Sequence, residues 1–353
     1  NLRNKPLVSI LINNYNYEKF IADAIESAIA QTYANKEIIV VDDGSTDNSR
    51  QIITDYENQI TPLFKENGGQ ASAFNAGFSL AKGEIIIFLD SDDLLLPEIV
   101  EQVVPIFQEQ TETAKVQYRL QVINGEGKPT GEIIPPRGAK MPNGDLKPHL
   151  LKFANYAWPP TTGNAFRKTA LQEIFPIEEN IYRISADRYL NWLSVMFGTV
   201  VSLETEGGLY RVHGKNNYRS EELDFSKLKR SLIVASKVHE KRKELFKSLY
   251  GIDADKAESR DLLYLINRII FLKLNPQDYP FEDKLSTLSN DGIRLALDSP
   301  GYHWSRKIFL AFWFASMQVA PKSVAETLAR KMYFPQKRGK LTSKLLAIAR
   351  KFG

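Results

Sequence analysis

The sequence predicts an α/β fold with a mixed, mostly parallel sheet, followed by a helical region. Three apolar runs, at residues 7–12, 38–41 and 84–89, have the length and composition of buried strands. Between the first two runs, residues 20–29 place apolar side chains at the spacing of one buried helical face. Strands that alternate with helices are joined by right-handed crossovers, which predicts parallel neighbours in the sheet.

Each of these predicted strands ends in polar residues. The three ends read Asn13-Asn14-Tyr15-Asn16, Asp42-Asp43-Gly44-Ser45 and Asp90-Ser91-Asp92-Asp93. Ligands of open parallel sheets bind beyond the carboxyl ends of the strands, so we expect one shared crevice. Crowded carboxylates repel one another, and a Mg²⁺ or Mn²⁺ ion that also binds phosphate oxygens relieves that repulsion. A solvated turn before the next helix is the alternative for the last acidic run.

Several short motifs follow one another in a fixed order. They are residues 6–10 (PLVSI), 14–16 (NYN), 31–33 (QTY), 37–47 (EIIVVDDGSTD), 66–70 (ENGGQ) and 75–77 (NAG), followed by Gly83 and the Asp90 cluster. In this order they resemble the nucleotide-binding half of a GT-A glycosyltransferase of family 2, and the likeness continues more weakly to about residue 217. The resemblance implies a Rossmann-like GT-A fold, a nucleotide-sugar donor and inverting transfer.

The donor is expected to be a UDP-sugar. Tyr15 offers an aromatic face to a base, and Asp43 can accept the N3 proton of uracil, which neutral cytosine lacks. Thymine or guanine could use the same carboxylate, and an Asx turn is the structural alternative for Asp43. Asn13 is expected to add base or ribose contacts, while Asn67 and Gly69 resemble the loop that lies against the sugar and phosphate.

The resemblance also assigns roles around the metal. Asp90 is expected to contact ribose or a metal-bound water, and Asp92 to coordinate Mn²⁺ or Mg²⁺ on the diphosphate. Residues 208–213 resemble the tyrosine-arginine-x-histidine stretch that closes the transferase domain. There, His213 is a candidate metal ligand or diphosphate donor, and Arg211 a candidate for offsetting the diphosphate charge.

Inverting transfer requires a base that takes the proton of the attacking hydroxyl. Asp187 is the candidate, because it precedes an apolar helical pattern and aligns with the acid that serves as base in the family. The family usually has Glu-Asp here, whereas this chain has Ala186 before Asp187. A role at the helix N-terminus is the alternative for Asp187, and Glu178 and Glu179 are reserve candidates for the base.

Acceptor contacts are predicted after a long segment rich in Gly and Pro, at residues 124–160. Trp158 could stack on an acceptor sugar, and Thr162 and Asn164 could bind its hydroxyls. Core packing is the alternative for Trp158.

Length and composition indicate two domains. With 353 residues and 43% hydrophobic content, we expect a transferase domain at residues 1–222 and a helical, basic domain at residues 223–353. The chain has no Cys and no evident secretory signal, which predicts a cytoplasmic protein. A net charge of +4 is modest for nucleic-acid binding, and we expect no nucleic-acid partner.

Residues 304–353 contain one acid, Glu326, among many Lys and Arg residues. The apolar run at residues 308–315 is too short to span a bilayer, which takes about 20 residues. Peripheral docking on the cytoplasmic membrane face is one interpretation. A core helix or a dimer contact with a solvated basic flank is the other.

Together these features predict transfer of a hexose or related sugar to a hydroxyl of a glycan or lipid-linked acceptor, in polysaccharide or glycoconjugate biosynthesis. A nucleotidyltransferase, or a nucleotide-sugar-binding protein without transfer activity, is the alternative.

Overall fold

A computed structural model describes residues 5–214, 223–254, 261–299 and 302–333. The chain divides into two compact units, one formed by Asn1–Pro148 and Tyr156–Asn216 and the other by His149–Asn155 and Asn217–Gly353. The domain boundary predicted between residues 222 and 223 borders a stretch outside the described residues and stays a prediction.

The first unit is built on one mixed sheet. Its strands are β1 (Val8–Asn14), β2 (Lys36–Asp42), β3 (Thr61–Phe64), β4 (Ile85–Asp90), β5 (Leu94–Leu95), β6 (Thr113–Asn124), β7 (Pro129–Ile134), β8 (Asn164–Arg167) and β9 (Thr199–Val212). They are ordered β3-β2-β1-β4-β8-β6-β9-β5, with β7 paired to β6. The first four strands in this order run parallel, as do β6 and β9, whereas β8 runs antiparallel to both of its neighbours. The predicted mixed α/β sheet is confirmed.

Seven helices are described along the first part of the chain, and most of the fifth belongs to the second unit. They are α1 (Ile21–Ile29), α2 (Ser49–Asp55), α3 (Gln70–Leu80), α4 (Ile99–Glu109), α5 (Lys147–Phe153), α6 (Lys168–Gln172) and α7 (Ala186–Leu193). In α1 the apolar spacing buries Ile21, Ala24, Ile25 and Ala28. These side chains pack with the buried residues of β1, β2 and β4 in one hydrophobic core. The central strands are therefore apolar along their length and polar only at the ends.

The second unit is helical, as predicted. Its longer helices are α8 (Phe225–Tyr250), α9 (Leu262–Leu274), α10 (Leu285–Asp298), α11 (Trp304–Val319) and α12 (Lys322–Tyr333). Asp224 and Asp261 fix the starts of α8 and α9, because their carboxylates accept hydrogen bonds from backbone N–H groups of the first turn. Within the described part of the chain, none of the helices combines the length and apolar character needed to cross a bilayer.

The start of β4 is fixed by a close approach to β1. The backbone N–H of Gly83 donates to Ser9 Oγ at 2.8 Å and to Glu37 Oε1 at 3.1 Å. A Cβ atom on Gly83 would lie 2.6 Å from Ser9 N and 2.7 Å from the Leu7 carbonyl oxygen. Only glycine fits without moving the backbone of β1.

We therefore expect Gly83→Ala to lower the free energy of unfolding by about 1–3 kcal/mol through overpacking. Gly138→Ala is the matched control, because nothing lies within 4 Å of its added Cβ. Urea unfolding of both variants checks this expectation. Equal stability of the two variants would contradict it.

Candidate active site

The sheet register brings the polar strand ends together. Asn13 lies beside Asp90 across β1 and β4, and its Nδ2 donates to Asp90 Oδ1 at 3.1 Å. Asn14 lies beside Asp42 across β1 and β2, and donates to it at 2.9 Å. The predicted crevice is thus formed at the carboxyl ends of adjacent parallel strands.

Three carboxylates crowd the end of β4. Asp93 is buried, and it accepts hydrogen bonds from the backbone N–H of Arg211 at 2.9 Å and from Thr162 Oγ1 at 2.7 Å. Burial, and then the charges of Asp92 and Asp187, raise the pKa of Asp90 to about 7. Burial, and then the charges of Asp92 and Asp90, raise the pKa of Asp93 well above its usual range. A nearby cation would stabilise the charged forms of this cluster.

His213 and Arg211 are both attached to this acidic loop. Nε2 of His213 lies 2.9 Å from Asp92 Oδ2. The guanidinium of Arg211 donates to the backbone carbonyl of Asp92 and to the carboxylate of Asp23, each at 2.9 Å, and stacks over Phe20. In this structure Arg211 therefore anchors the Asp92 loop, and its role in offsetting the diphosphate charge stays a prediction.

Tyr17 is a site residue that the sequence reasoning missed. Its ring packs edge-on against His213, with ring centroids 5.6 Å apart. Burial, and then the charges of Asp92, Asp90 and Asp93, raise its pKa. Tyr17 follows the NYN motif by one residue, and its aromatic character beside a polar strand end was the available signal.

The residues of the cluster fit a hard divalent cation. Among the described residues, no group of three or more His, Cys, Asp and Glu side chains is arranged to enclose a metal ion. Mg²⁺ and ions like it are usually held by one or two carboxylates, several waters and the substrate phosphates. Asp92 with His213, next to Asp90, supplies such a partial donor set. Within the described structure, Asn13 Oδ1 is buried without a hydrogen-bond partner and adds a further oxygen next to Asp90.

Asp43 holds the loop that carries Asn67 and Gly69. Its two carboxylate oxygens accept from Lys65 Nζ at 2.7 Å, Asn67 Nδ2 at 3.1 Å, Gly68 N at 2.9 Å and Gly69 N at 2.6 Å. Four donors occupy the lone pairs of a carboxylate. The structure thus corrects the expectation that Asp43 presents a free acceptor to a base. A uracil contact would require one of these donors to move.

The same loop is joined to the segment that precedes α7. Gly69 has a φ of 90°, and a Cβ there would lie 2.3 Å from Arg183 Cγ and 2.6 Å from the Arg183 carbonyl oxygen. Gln70 N donates to that carbonyl at 2.8 Å, and Gln70 Oε1 accepts from Ala186 N at 2.9 Å. The loop and the first residue of α7 are therefore positioned together.

Asp187 lies in the first turn of α7 and is half-buried. Burial raises its pKa, while Arg188, backbone hydrogen bonds and Lys115 act in the opposite direction. Its charge also acts on Asp90, so the two carboxylates share one crevice. The reserve candidates for the base, Glu178 and Glu179, are exposed, unlike Asp187. Side-chain hydrogen bonds from Asn75 and Ser72 lower the pKa of Glu179.

Lys115 lies buried on β6 close to Asp187. Its Nζ donates to Gln117 Oε1 and to the Tyr156 hydroxyl, each at 3.0 Å, and to Asn191 Oδ1. Asn191 in turn donates to the backbone carbonyl of Asp187 at 2.9 Å. Burial lowers the pKa of Lys115 and the charge of Asp187 opposes this. Three acceptors match the three N–H groups of an ammonium ion, which indicates the charged form.

The predicted acceptor residues have other partners. Thr162 is fully buried and donates to Asp93, and Asn164 is fully buried with its amide nitrogen directed at the carbonyls of Pro159, Pro160 and Thr161. The hydroxyl of Thr162 is thus engaged within the protein, while Asn164 Oδ1 is buried without a hydrogen-bond partner within the described structure, and a contact of either residue with an acceptor stays a prediction. Trp158 is half-buried, and its role stays a prediction. Tyr15 is 46% exposed at the end of β1, so its ring is accessible to a base.

Comparison with known proteins identifies the family. Residues 9–175 match the family described as Glycosyl transferase family 2. An uncharacterised glycosyltransferase of Nostoc sp. is 39% identical over 218 residues, which cover 60% of this chain and 67% of that protein. The chain belongs to glycosyltransferase family 2. The predicted family and enzyme class are thereby confirmed. Other curated glycosyltransferases match the transferase over 29% of its chain and 32% to 36% of their own length.

Two solved proteins share the fold of the transferase. Residues 1–349 of Staphylococcus aureus TarS in complex with UDP align with a TM-score of 0.55 and 15% identity, over 94% of this chain and 92% of that chain. TarS has also been solved with UDP-GlcNAc. Mannosyltransferase PcManGT from Pyrobaculum calidifontis, in complex with GDP-Man and Mn²⁺, aligns with a TM-score of 0.50 and 15% identity. The alignment covers 95% of this chain and 89% of that chain. The predicted GT-A fold is confirmed.

Proposed function

We propose that the transferase moves a sugar from a nucleoside diphosphate donor to an acceptor hydroxyl with inversion at the sugar carbon. The observation that carries this is a half-buried Asp187 in the same crevice as the Asp90 cluster, in a chain of family 2. A base and a diphosphate site must face one sugar from opposite sides for a single displacement. UDP is the proposed donor nucleotide, supported by the complexes of TarS with UDP and UDP-GlcNAc. The GDP-Man bound by PcManGT makes GDP the necessary comparison.

Each site residue has a defined part in this displacement. Asp187 accepts the proton of the attacking hydroxyl while the new C–O bond forms and the bond to the diphosphate breaks. Tyr15 provides an aromatic face for the nucleobase of the donor. The glycine at position 69 lets the loop backbone approach the sugar and phosphates. Asp92 and His213 would hold Mn²⁺ or Mg²⁺, with Asp90 beside them. The ion, when bound, would neutralise charge on the departing diphosphate.

A glycan or a lipid-linked glycan is the proposed acceptor, with a part in polysaccharide or glycoconjugate biosynthesis. Family membership supports glycosyl transfer over the nucleotidyltransferase alternative. Buried Thr162 and Asn164 leave half-buried Trp158 as the remaining candidate for stacking on the acceptor.

Replacing Asp92 with Asn should weaken metal-dependent UDP binding by at least about tenfold, or about 1.4 kcal/mol, because an amide is a poor ligand for a hard cation. Calorimetric titrations with UDP and with GDP, each with and without Mn²⁺, measure the effect. Asp55→Asn is the control, since this carboxylate lies on α2 and pairs with Gln51. Unchanged Mn²⁺-dependent binding by Asp92→Asn would remove Asp92 from the metal site.

Replacing Asp187 with Asn should lower the turnover number by about 10²–10⁴-fold, the usual contribution of a general base, while donor affinity stays the same. The base acts only when ionised, so wild-type activity should fall as the pH drops through the raised pKa of Asp187. This acid limb should lie above the pH of about 3.9 expected for an exposed Asp. UDP release measured across pH, with the most active UDP-sugar of a screen, tests both points. Glu179→Gln is the control, and loss of turnover in that variant alone would transfer the role of base to Glu179.

Replacing Lys115 with Met should move the acid limb of the activity profile to higher pH. Removal of a buried positive charge disfavours the ionised form of Asp187 and so raises its pKa. Most of the wild-type rate should return at high pH, where Asp187 is ionised again. An equal loss of rate at every pH would show that Lys115 supports only the packing of α7.

A further inference from the structure

Helix α11 is apolar on two opposite faces. Its inner face buries Leu310, Trp313, Phe314 and Met317 in the core of the helical unit. An amphipathic helix would carry polar residues on the opposite side. This helix does not.

The opposite face is an apolar stripe open to solvent. We call it the outer stripe; its members are Trp304, Ile308, Phe312, Ala315 and Val319. At 3.6 residues per turn these positions fall within an arc of about 80°. The exposed fractions are 61% for Trp304, 55% for Ile308, 70% for Phe312 and 81% for Val319. Aligned apolar residues with this exposure are typical of a surface that binds another protein or a membrane.

The segment that contains the outer stripe is strongly basic in sequence. Residues 302–333 contain Arg306, Lys307, Lys322, Arg330 and Lys331, against the single acid Glu326. Arg330 pairs with Glu326. Lys307 donates to the backbone carbonyl of Leu297, and Arg306 stacks over Tyr302, so neither of these two contacts involves an acid. The sequence adds Lys337, Arg338, Lys340, Lys344, Arg350 and Lys351 beyond these residues, and no acid.

We infer that the outer stripe of α11 docks on an anionic membrane surface. Trp and Phe side chains enter the boundary between head groups and acyl chains, while Lys and Arg side chains lie near the anionic head groups. Each cation near such a surface contributes favourably, and the attraction weakens with salt. Both halves of this recognition are present on one helix and its neighbour.

The charge distribution favours a lipid surface over a second copy of the chain. A two-fold dimer through the outer stripe would bring the same patch of each copy together. Such a dimer would therefore bring together two segments that are both strongly basic. Anionic head groups supply the opposite charge that such a dimer lacks.

Vesicle flotation of the full chain tests this inference. We expect binding to phosphatidylcholine vesicles that contain about one third phosphatidylglycerol, little binding to phosphatidylcholine alone, and weaker binding in about 0.5 M NaCl. The double variant Ile308→Asp and Phe312→Asp should bind the anionic vesicles at least about tenfold more weakly. Leu263→Asp on α9 is the matched control, because Leu263 is exposed to 56%, as Ile308 is to 55%. The pair Ile308→Ser and Phe312→Ser repeats the test without adding acids.

Insertion of the stripe itself is measured separately with vesicles of brominated lipids, which quench tryptophan within the bilayer. Wild-type fluorescence should be quenched, and Trp304→Phe should lose most of that quenching while it still binds. The inference is overturned if the wild type does not bind anionic vesicles, or if both double variants bind as tightly as Leu263→Asp. It is also overturned if light scattering shows a dimer that the double variants abolish while vesicle binding is unchanged.

Discussion

The site depends on negative charge that the protein buries at the end of β4. Asp90, Asp92 and Asp93 lie within four positions, and the charge of Asp187 acts on the same cluster. The guanidinium of Arg211 donates to Asp23 and to the backbone carbonyl of Asp92. It therefore stabilises the loop more than it stabilises the three carboxylates. Buried carboxylates without a compensating cation resist ionisation, and the raised pKa values of Asp90 and Asp93 express this. A cation bound at this position, where a diphosphate would leave, would favour the ionised forms of these carboxylates.

A second constraint joins the two sides of the crevice. Asp43 holds Gly69 through its backbone N–H, and the backbone of Gly69 lies directly against Arg183. Gln70 then bonds both Arg183 and Ala186, the residue that begins α7. The loop expected to lie against the donor is thus continuous with the helix that carries the proposed base. The loop and the start of α7 share the hydrogen bonds of Gln70, next to the close approach at Gly69.

The sequence was sufficient for the sheet and for the polar ends of its parallel strands, but not for the partners of individual side chains. Apolar strands that end in Asn13, Asp43 and Asp90 could be placed at one edge because parallel register follows from alternating strands and helices. Asp43 was misjudged because the chain returns to it only at residues 65–69, and the four donors there are invisible in a linear pattern. The partner of Thr162 was missed for the same reason, because Asp93 is 69 residues away in the sequence. Long-range hydrogen bonds decide whether a polar residue binds a ligand or holds a loop.

Asp187 shows how a proposed base can be tuned without the acidic neighbour usual in the family. With Ala186 before it, no adjacent carboxylate raises its pKa, and burial becomes the largest cause of the shift. Burial alone would disfavour the ionised form of Asp187. The charge of Arg188, backbone hydrogen bonds and the charge of Lys115 oppose burial. Lys115 is also connected through Asn191 to the backbone of Asp187. A buried Lys is costly, and here its ammonium group bonds Asn191 of α7 and favours the ionised form of Asp187. In this chain, cations and backbone hydrogen bonds thus oppose the effect of burial on Asp187, the proposed base.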